Sequence, residues 1–396
     1  MRTTRLLVLA GIIIGTPAFT AAQETRAGAI ATAQADKATK VTEYVPSAIE
    51  KHLLRAQRAL IDQPSGFYPY FASVYSGGGF TLGAGYRRFT GDRTHWDISG
   101  LFSAKSYKLL QINTTSPGHL SGHVDLRVGG LYRDATQVAY YGLGIDSPEG
   151  LDTAFRMKQG VVGGDITLRP ARRYLLTGAV NFEDFVITDP TGNHTPVEDV
   201  FNPASAPGLG ADPAFIHSSA TAAFDSRPAA GYARRGGRYA IAYHNYTDPD
   251  DIYSFNRFEL DAVQNVPILR ENWVVSFHGR LVTTPDETAV VPYFLLPSLG
   301  SGSTLRAYTS WRFRDRNSVL FSGEFRWIPN RLVMDMAFFY DTGMVAPTLG
   351  EFDVDSFVRD VGIGVRFHTP VSTPLRIDVA RGSEGINIVF SSSAAF

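Results

Sequence analysis

Over residues 285–396 apolar and polar side chains alternate with a period of two, interrupted at intervals by turn-forming residues. In 334–341 the even positions Met334, Met336, Phe338 and Tyr340 are apolar, and Asp335, Ala337, Phe339 and Asp341 hold the odd ones. Val361, Ile363, Val365 and Phe367 share one face, with Gly362, Gly364 and Arg366 on the other. Leu375, Ile377 and Val379 oppose Arg376 and Asp378. Upstream, Phe258, Leu260 and Ala262 oppose Arg257, Glu259 and Asp261, and Val124, Leu126 and Val128 oppose His123, Asp125 and Arg127. Successive side chains of a strand point to opposite faces, so each segment reads as a strand between two different surroundings. A soluble sandwich gives this pattern, and so does a transmembrane barrel with lipid outside and a wet lumen inside.

The pattern predicts strands near 67–75, 79–89, 94–104, 106–115, 120–131, 153–168, 173–184, 216–226, 237–246, 254–265, 272–284, 317–327, 332–341, 358–368, 374–380 and 386–391. That is about sixteen, an even number of ordinary size for a bacterial outer-membrane barrel. Connections 90–93, 116–119 and 169–172 are tight, as at a periplasmic rim, whereas 132–152, 185–215, 285–316 and 342–357 are long, as outside the cell. Lipid offers an open sheet edge no hydrogen-bond partner, so such a sheet has to close on itself. The expected fold is therefore all-β: a transmembrane antiparallel barrel over 65–396, with a short helix before it.

The N-terminus supports export. Arg2 and Arg5 precede an apolar run, 6–15, and Thr20-Ala21-Ala22 offers small residues for cleavage before Gln23, which makes 1–22 a signal peptide. Residues 23–45 are small and polar and read as a flexible linker. An amphipathic helix is expected over 46–64: Ser47 and Glu50 form a capping box, and Ile49, Leu53, Ala56 and Leu60 fall on one face, away from Lys51, Arg55 and Arg58. Such a helix would plug the lumen or lie on the inner leaflet, or else simply pack on the protein.

Composition narrows the partners. The chain has 396 residues, 44% of them hydrophobic, with no Cys and a formal charge of −1. Absent thiols suit an oxidising compartment, and near-neutrality points away from nucleic acid. The 38 Gly and 22 Pro suit a turn-rich all-β chain. His residues show no metal-ligand clustering, and no phosphate loop or G-x-S-x-G elbow is present, so no cofactor is expected. His217-Ser218-Ser219 leaves an outer-membrane lipase as a distant reading.

One order of motifs stands out. Leu305-Arg306-Ala307-Tyr308 lies in loop 285–316, Glu324-Phe325-Arg326-Trp327 follows on a strand, and the next strand carries Phe339-Tyr340-Asp341-Thr342-Gly343. This resembles the bacterial surface antigen family, the BamA/TamA superfamily of outer-membrane assembly and translocation barrels. That family has a [V/I/L]-R-G-[F/Y] tip on its sixth extracellular loop and an F-x-D-x-G strand whose Asp lies near the Arg. Phe339, Asp341 and Gly343 match the second motif; Leu305, Arg306 and Tyr308 match the first, with Ala307 where the family has Gly. Tyr141-Gly142-Leu143-Gly144-Ile145-Asp146-Ser147 is similar to the family's Y-G-x-G-x-x-S, and Asp225-Ser226-Arg227 before Gly236-Gly237 to its D-[S/T]-R…G turn. Ser383-x-Gly385-x-x-Ile388-x-Phe390 looks like the C-terminal signal read by the assembly machinery, followed by a short extension to the aromatic Phe396. The stretch 23–66 is too short for a POTRA domain, so the resemblance implies a barrel-only member.

The alternation independently puts Glu324, Arg326 and Asp341 on the lumen face. An Arg carried inward by the loop would meet carboxylates there and pair with them bidentately. The plainer alternative keeps Arg306 solvated, with Glu324 paired to a neighbouring lumen Arg. The resemblance implies a Gram-negative outer-membrane barrel, among outer-membrane lipids and lipopolysaccharide, that inserts or translocates unfolded outer-membrane protein or lipid cargo. Its seam would lie between the first strand and the short last one, where few hydrogen bonds make opening cheap. A passive or loop-gated pore is the rival.

Overall fold

A computed structural model describes residues 65–269, 272–329, 334–369 and 371–396. The expected signal peptide, linker and helix over 1–64 lie outside the described residues. Sixteen wall strands follow one another: β1 Gly66–Tyr70, β2 Thr81–Phe89, β3 His95–Ser103, β4 Lys108–Gly118, β5 Val124–Ala139, β6 Thr153–Ala171, β7 Tyr174–Thr188, β8 Ala214–Asp225, β9 Gly236–Thr247, β10 Phe255–Leu269, β11 Trp273–Thr283, β12 Asn317–Trp327, β13 Met334–Ala346, β14 Val358–Phe367, β15 Leu375–Gly382 and β16 Gly385–Ser391. Each pairs antiparallel with the next. A two-residue strand, Thr195–Pro196, adds to β6 and completes a 17-stranded sheet.

The two faces separate as the alternation requires. Outward positions such as Val128, Val162, Phe182, Phe277, Phe338, Ile363 and Ile388 are exposed and apolar. Inward positions such as Asp134, Glu183, His217, Glu324, Asp341 and Asp378 are buried and polar. Exposed hydrocarbon all around the wall, with charge shielded inside, is the arrangement a bilayer stabilises and water does not. The molecule is a transmembrane β-barrel.

Several boundaries differ from those the alternation marks. The first strand stops at Tyr70, not 75, because 71–80 turns into a connection that packs on the loop before β12. β5 begins at Val124 and runs on to Ala139, where Asp134, Ala135 and Thr136 are all buried. Both faces are covered there, so the period of two fades although the strand continues. β13 likewise extends to Ala346 through buried Met344 and Val345. The long connections therefore shorten to 140–152 and 347–357.

The ladder between β1 and β2 has five rungs. Among the described residues no ladder joins β1 to β16, so the wall has a seam between its first and last strands.

Candidate functional site

Residues 284–316, the sixth connection on the long-loop side (L6), leave β11 and fold back into the lumen. A two-rung ladder, Ser298–Leu299 with Phe313–Arg314, forms its neck. Gly300 turns the chain at φ 100, where a Cβ would collide with the Thr309 carbonyl. The inner half is apolar: Leu299, Leu305, Ala307, Tyr308 and Phe313 pack with Leu320, Phe339, Val345 and Ala380 of the wall. Burial of this face carries the loop inward and positions Arg306. Gly343 of β13 makes room for the neck, since a Cβ there would lie 2.9 Å from Leu299. Gly382 does the same at the tip, where a Cβ would come within 3.0 Å of Ala307 and Tyr308. The wall thus accommodates the methyl group that Ala307 adds to the tip motif.

Arg306 is 1% exposed and faces three carboxylates from three strands. Its Nε donates to Asp341 Oδ2 at 2.7 Å and its Nη2 to Asp341 Oδ1 at 2.8 Å, a bidentate pair. Nη1 donates to Glu324 Oε2 at 3.1 Å and to Asp378 Oδ2 at 3.4 Å. The guanidinium lies over Phe339, 3.4 Å from the ring centre, a stack that Arg tolerates and the compact, strongly hydrated Lys does not reproduce. Asp360 Oδ2 accepts the Ala307 amide at 3.1 Å and holds the tip backbone. Burial works against the Arg306 charge; the Asp341 hydrogen bonds and the charges of Asp341, Glu324 and Asp378 outweigh it and raise its pKa further above the usual arginine range.

Neighbouring cations complete the cluster. Arg366 donates to Glu324 at 2.6 Å and pairs with Asp378 at 3.0 Å. Arg376 pairs with Asp378 at 3.3 Å and bonds the Gly302 carbonyl of L6. Arg326 lies only loosely against Glu324, at 3.8 Å, and donates to the Ala233 carbonyl. The tip residues Leu305, Arg306, Ala307 and Tyr308 thus meet Glu324, Phe339, Asp341 and Gly343 in one place, with Arg326 at its edge. Sequence reasoning placed Arg366, Arg376 and Asp378 on the lumen side through their alternation, yet did not recruit them to the site. Nothing in the sequence around Asp360 singled it out.

L6 also spans the seam. On the β1 side, Trp311 Nε1 donates to the Ser76 carbonyl at 2.9 Å, and its ring stacks on Tyr75 with centroids 4.7 Å apart. On the β16 side, Arg312 Nε donates to Glu384 at 2.7 Å, Tyr308 meets Ser383 at 2.9 Å, and Asn387 donates to the Arg306 carbonyl at 2.9 Å. The segment 141–147 braces the loop: Arg312 donates to the Ser147 hydroxyl and carbonyl at 2.7 Å each, and the Gly144 amide to the Arg314 carbonyl at 2.8 Å.

The far end of the lumen is narrowed from within. The connection 226–235 reaches across it: Tyr232 donates to Asp335 at 2.7 Å and stacks on His368 at 4.1 Å. Gly385, Ile388 and Phe390 lie on β16, with Ile388 and Phe390 facing outward. Phe396 does not continue that strand, which ends at Ser391; it stacks on the lumen residue His278, with centroids 5.1 Å apart. Elsewhere in the lumen His217 has one ring nitrogen on Glu183 at 2.6 Å and the other on His244 at 3.0 Å. Its ring thus meets an acid and a second imidazole, and among the described residues no serine hydrogen-bonds to it.

Fold and site together define a transmembrane barrel, sixteen-stranded among the described residues, with an inward-folded L6 anchored by an Arg–carboxylate cluster. Solved structures share this fold. BamA from Haemophilus ducreyi lacking POTRA domains 1–3 superposes with a TM-score of 0.63 at 14% identity, over 82% of this chain and 69% of that one. CdiB from Acinetobacter baumannii gives 0.52 at 11% identity, over 83% of this chain and 57% of that one. CdiB from Escherichia coli gives 0.52 at 13% identity, over 83% and 60%. This chain thus spans less than two thirds of either CdiB chain. No family model and no curated protein sequence matches the chain.

Proposed function

We propose that the protein is a Gram-negative outer-membrane barrel of the assembly or translocation type, which passes protein or lipid cargo through its lumen and its lateral seam. The observation that carries the reading is the seam itself: no backbone ladder closes β1 on β16 among the described residues, while side chains of L6 hold both flanks. Opening such a seam breaks few main-chain bonds and so costs less than parting any other strand pair. The fold shared with BamA and CdiB supports the general kind. The short connections then face the periplasm and the long loops the cell exterior. A loop-gated pore is the second reading, favoured by L6 packing on both walls of the lumen: Tyr293 and Phe294 against Phe155 and Phe185, and its tip against Leu320 and Phe339.

The native chain has no Cys, so Phe67→Cys with Phe390→Cys on the outward faces of β1 and β16 supplies a clean pair. Bridging the two thiols with a cleavable bis-maleimide spacer should abolish activity in cells and cleaving the spacer restore it, with planar-bilayer conductance unchanged throughout. Full activity in the crosslinked barrel would return the protein to the pore reading.

A further inference from the structure

The membrane-facing wall is dented where β6 to β10 run side by side. Gly178 on β7 and Ala220 and Ala222 on β8 occupy outward positions, and Gly178 pairs directly with Ala220. Larger outward residues flank them, Ile166 on one side and Ile241 and Phe258 on the other. The hollow between has a volume of about 480 Å³, and no charged side chain lines it. Toward the short turns it meets an aromatic girdle: Tyr174 packs on Phe224 at 5.2 Å, and Phe224 on Tyr239 at 6.5 Å. Tyr residues at this level mark the boundary between hydrocarbon and headgroups.

Just past the girdle the turn between β6 and β7 carries Arg172 and Arg173, both exposed. Three other arginines near this rim are paired: Arg169 with Asp125, Arg227 with Asp225 and Arg238 with Asp261. Arg172 and Arg173 have no ion pair among the described residues. Gly178 lies five residues beyond Arg173 and six beyond Arg172, roughly 17–20 Å of strand. A phosphate at the turn is therefore one headgroup-to-chain length from the hollow.

We propose that this face binds an anionic glycerophospholipid of the leaflet on the short-turn side. Its phosphate sits on Arg172 and Arg173, and one acyl chain lies in the hollow floored by Gly178, Ala220 and Ala222. The guanidinium fork matches phosphate oxygens, and a chain laid in a concave wall gains dispersion contacts that a flat wall does not give. Small residues also allow close approach of a second barrel. Two copies related across this face would bring their unpaired arginines together, so charge favours the lipid.

Native mass spectrometry of the whole detergent-purified protein tests this, with dioleoylphosphatidylglycerol and dioleoylphosphatidylcholine as probes of equal chains and different headgroup. The wild type should retain one phosphatidylglycerol at concentrations where phosphatidylcholine is released. Arg172→Ser with Arg173→Ser should weaken phosphatidylglycerol roughly thirtyfold, the combined effect of two arginines near an anionic surface. Ala220→Leu with Ala222→Leu, still heat-modifiable on gels and so folded, should release both lipids. Equal retention of the two lipids by the wild type would overturn the proposal. So would unchanged phosphatidylglycerol binding in both variants, or a wild-type dimer that only the leucine variant dissociates.

Discussion

Arg306 and Arg314 leave the same loop and are equally buried, at 1% exposure each, yet they are neutralised differently. Arg306 faces three carboxylates. Arg314 has none among the described residues: it donates to the carbonyls of Tyr293 at 3.1 Å and Ala139 at 3.4 Å and lies 4.7 Å from the Trp311 ring centre. Burial accordingly pulls its pKa below the usual arginine value. Removing the two charges should not cost the same. Arg306→Met strands buried anions and should destabilise the barrel by about 3–5 kcal/mol. Arg314→Met leaves only carbonyls unmet and should cost about 1–3 kcal/mol. Arg306→Lys should fall between wild type and Arg306→Met, because one ammonium cannot reproduce the fork on Asp341. Urea midpoints of the gel-mobility shift give the ranking, and equal losses for the two Met variants would refute the carboxylate account.

At the level of elements, the site depends on what β14 lacks. Gly362 and Gly364 face the lumen, and a Cβ on them would strike Phe339 and Asp378 respectively. Gly362→Leu should therefore displace Phe339 from under Arg306 and free L6, although it touches no charge. Faster proteolysis within 284–316 by added trypsin is the expected readout, and a wild-type cleavage rate would count against this role for the strand. The strands themselves were legible because lipid and lumen impose opposite demands on alternate residues, as in Met336, Phe338 and Tyr340 against Ala337, Phe339 and Asp341. Legibility failed where that contrast ends. Asp134, Ala135 and Thr136 are covered on both faces, so β5 hides its own upper end. The Arg306–Asp341 proximity followed from a motif order. Asp378 sat on the correct face without any local mark of its partner, which comes from 72 residues away. The stacking of Phe396 on His278 had no sequence signal either: the predicted last strand ends at 391, and nothing in the short extension beyond it marks where its aromatic residue lands.

For the whole molecule, L6 bridges the seam. Trp311 and Arg312 are adjacent in sequence, and they hold opposite flanks of the seam through Ser76 and Glu384. Trp311→Ala with Glu384→Gln should raise hydrogen exchange in both β1 and β16 while β5 to β7 stay protected, because their long ladders are untouched. A uniform rise across all strands would instead mean global destabilisation. A ladder of main-chain bonds is common to every sequence of this fold, whereas a clasp of side chains can be changed one substitution at a time. On the proposed seam mechanism, the share of the open form is written in L6: every 1.4 kcal/mol removed from the clasp multiplies it about tenfold. On that mechanism, substitutions in one loop suffice to tune the seam without altering a single strand.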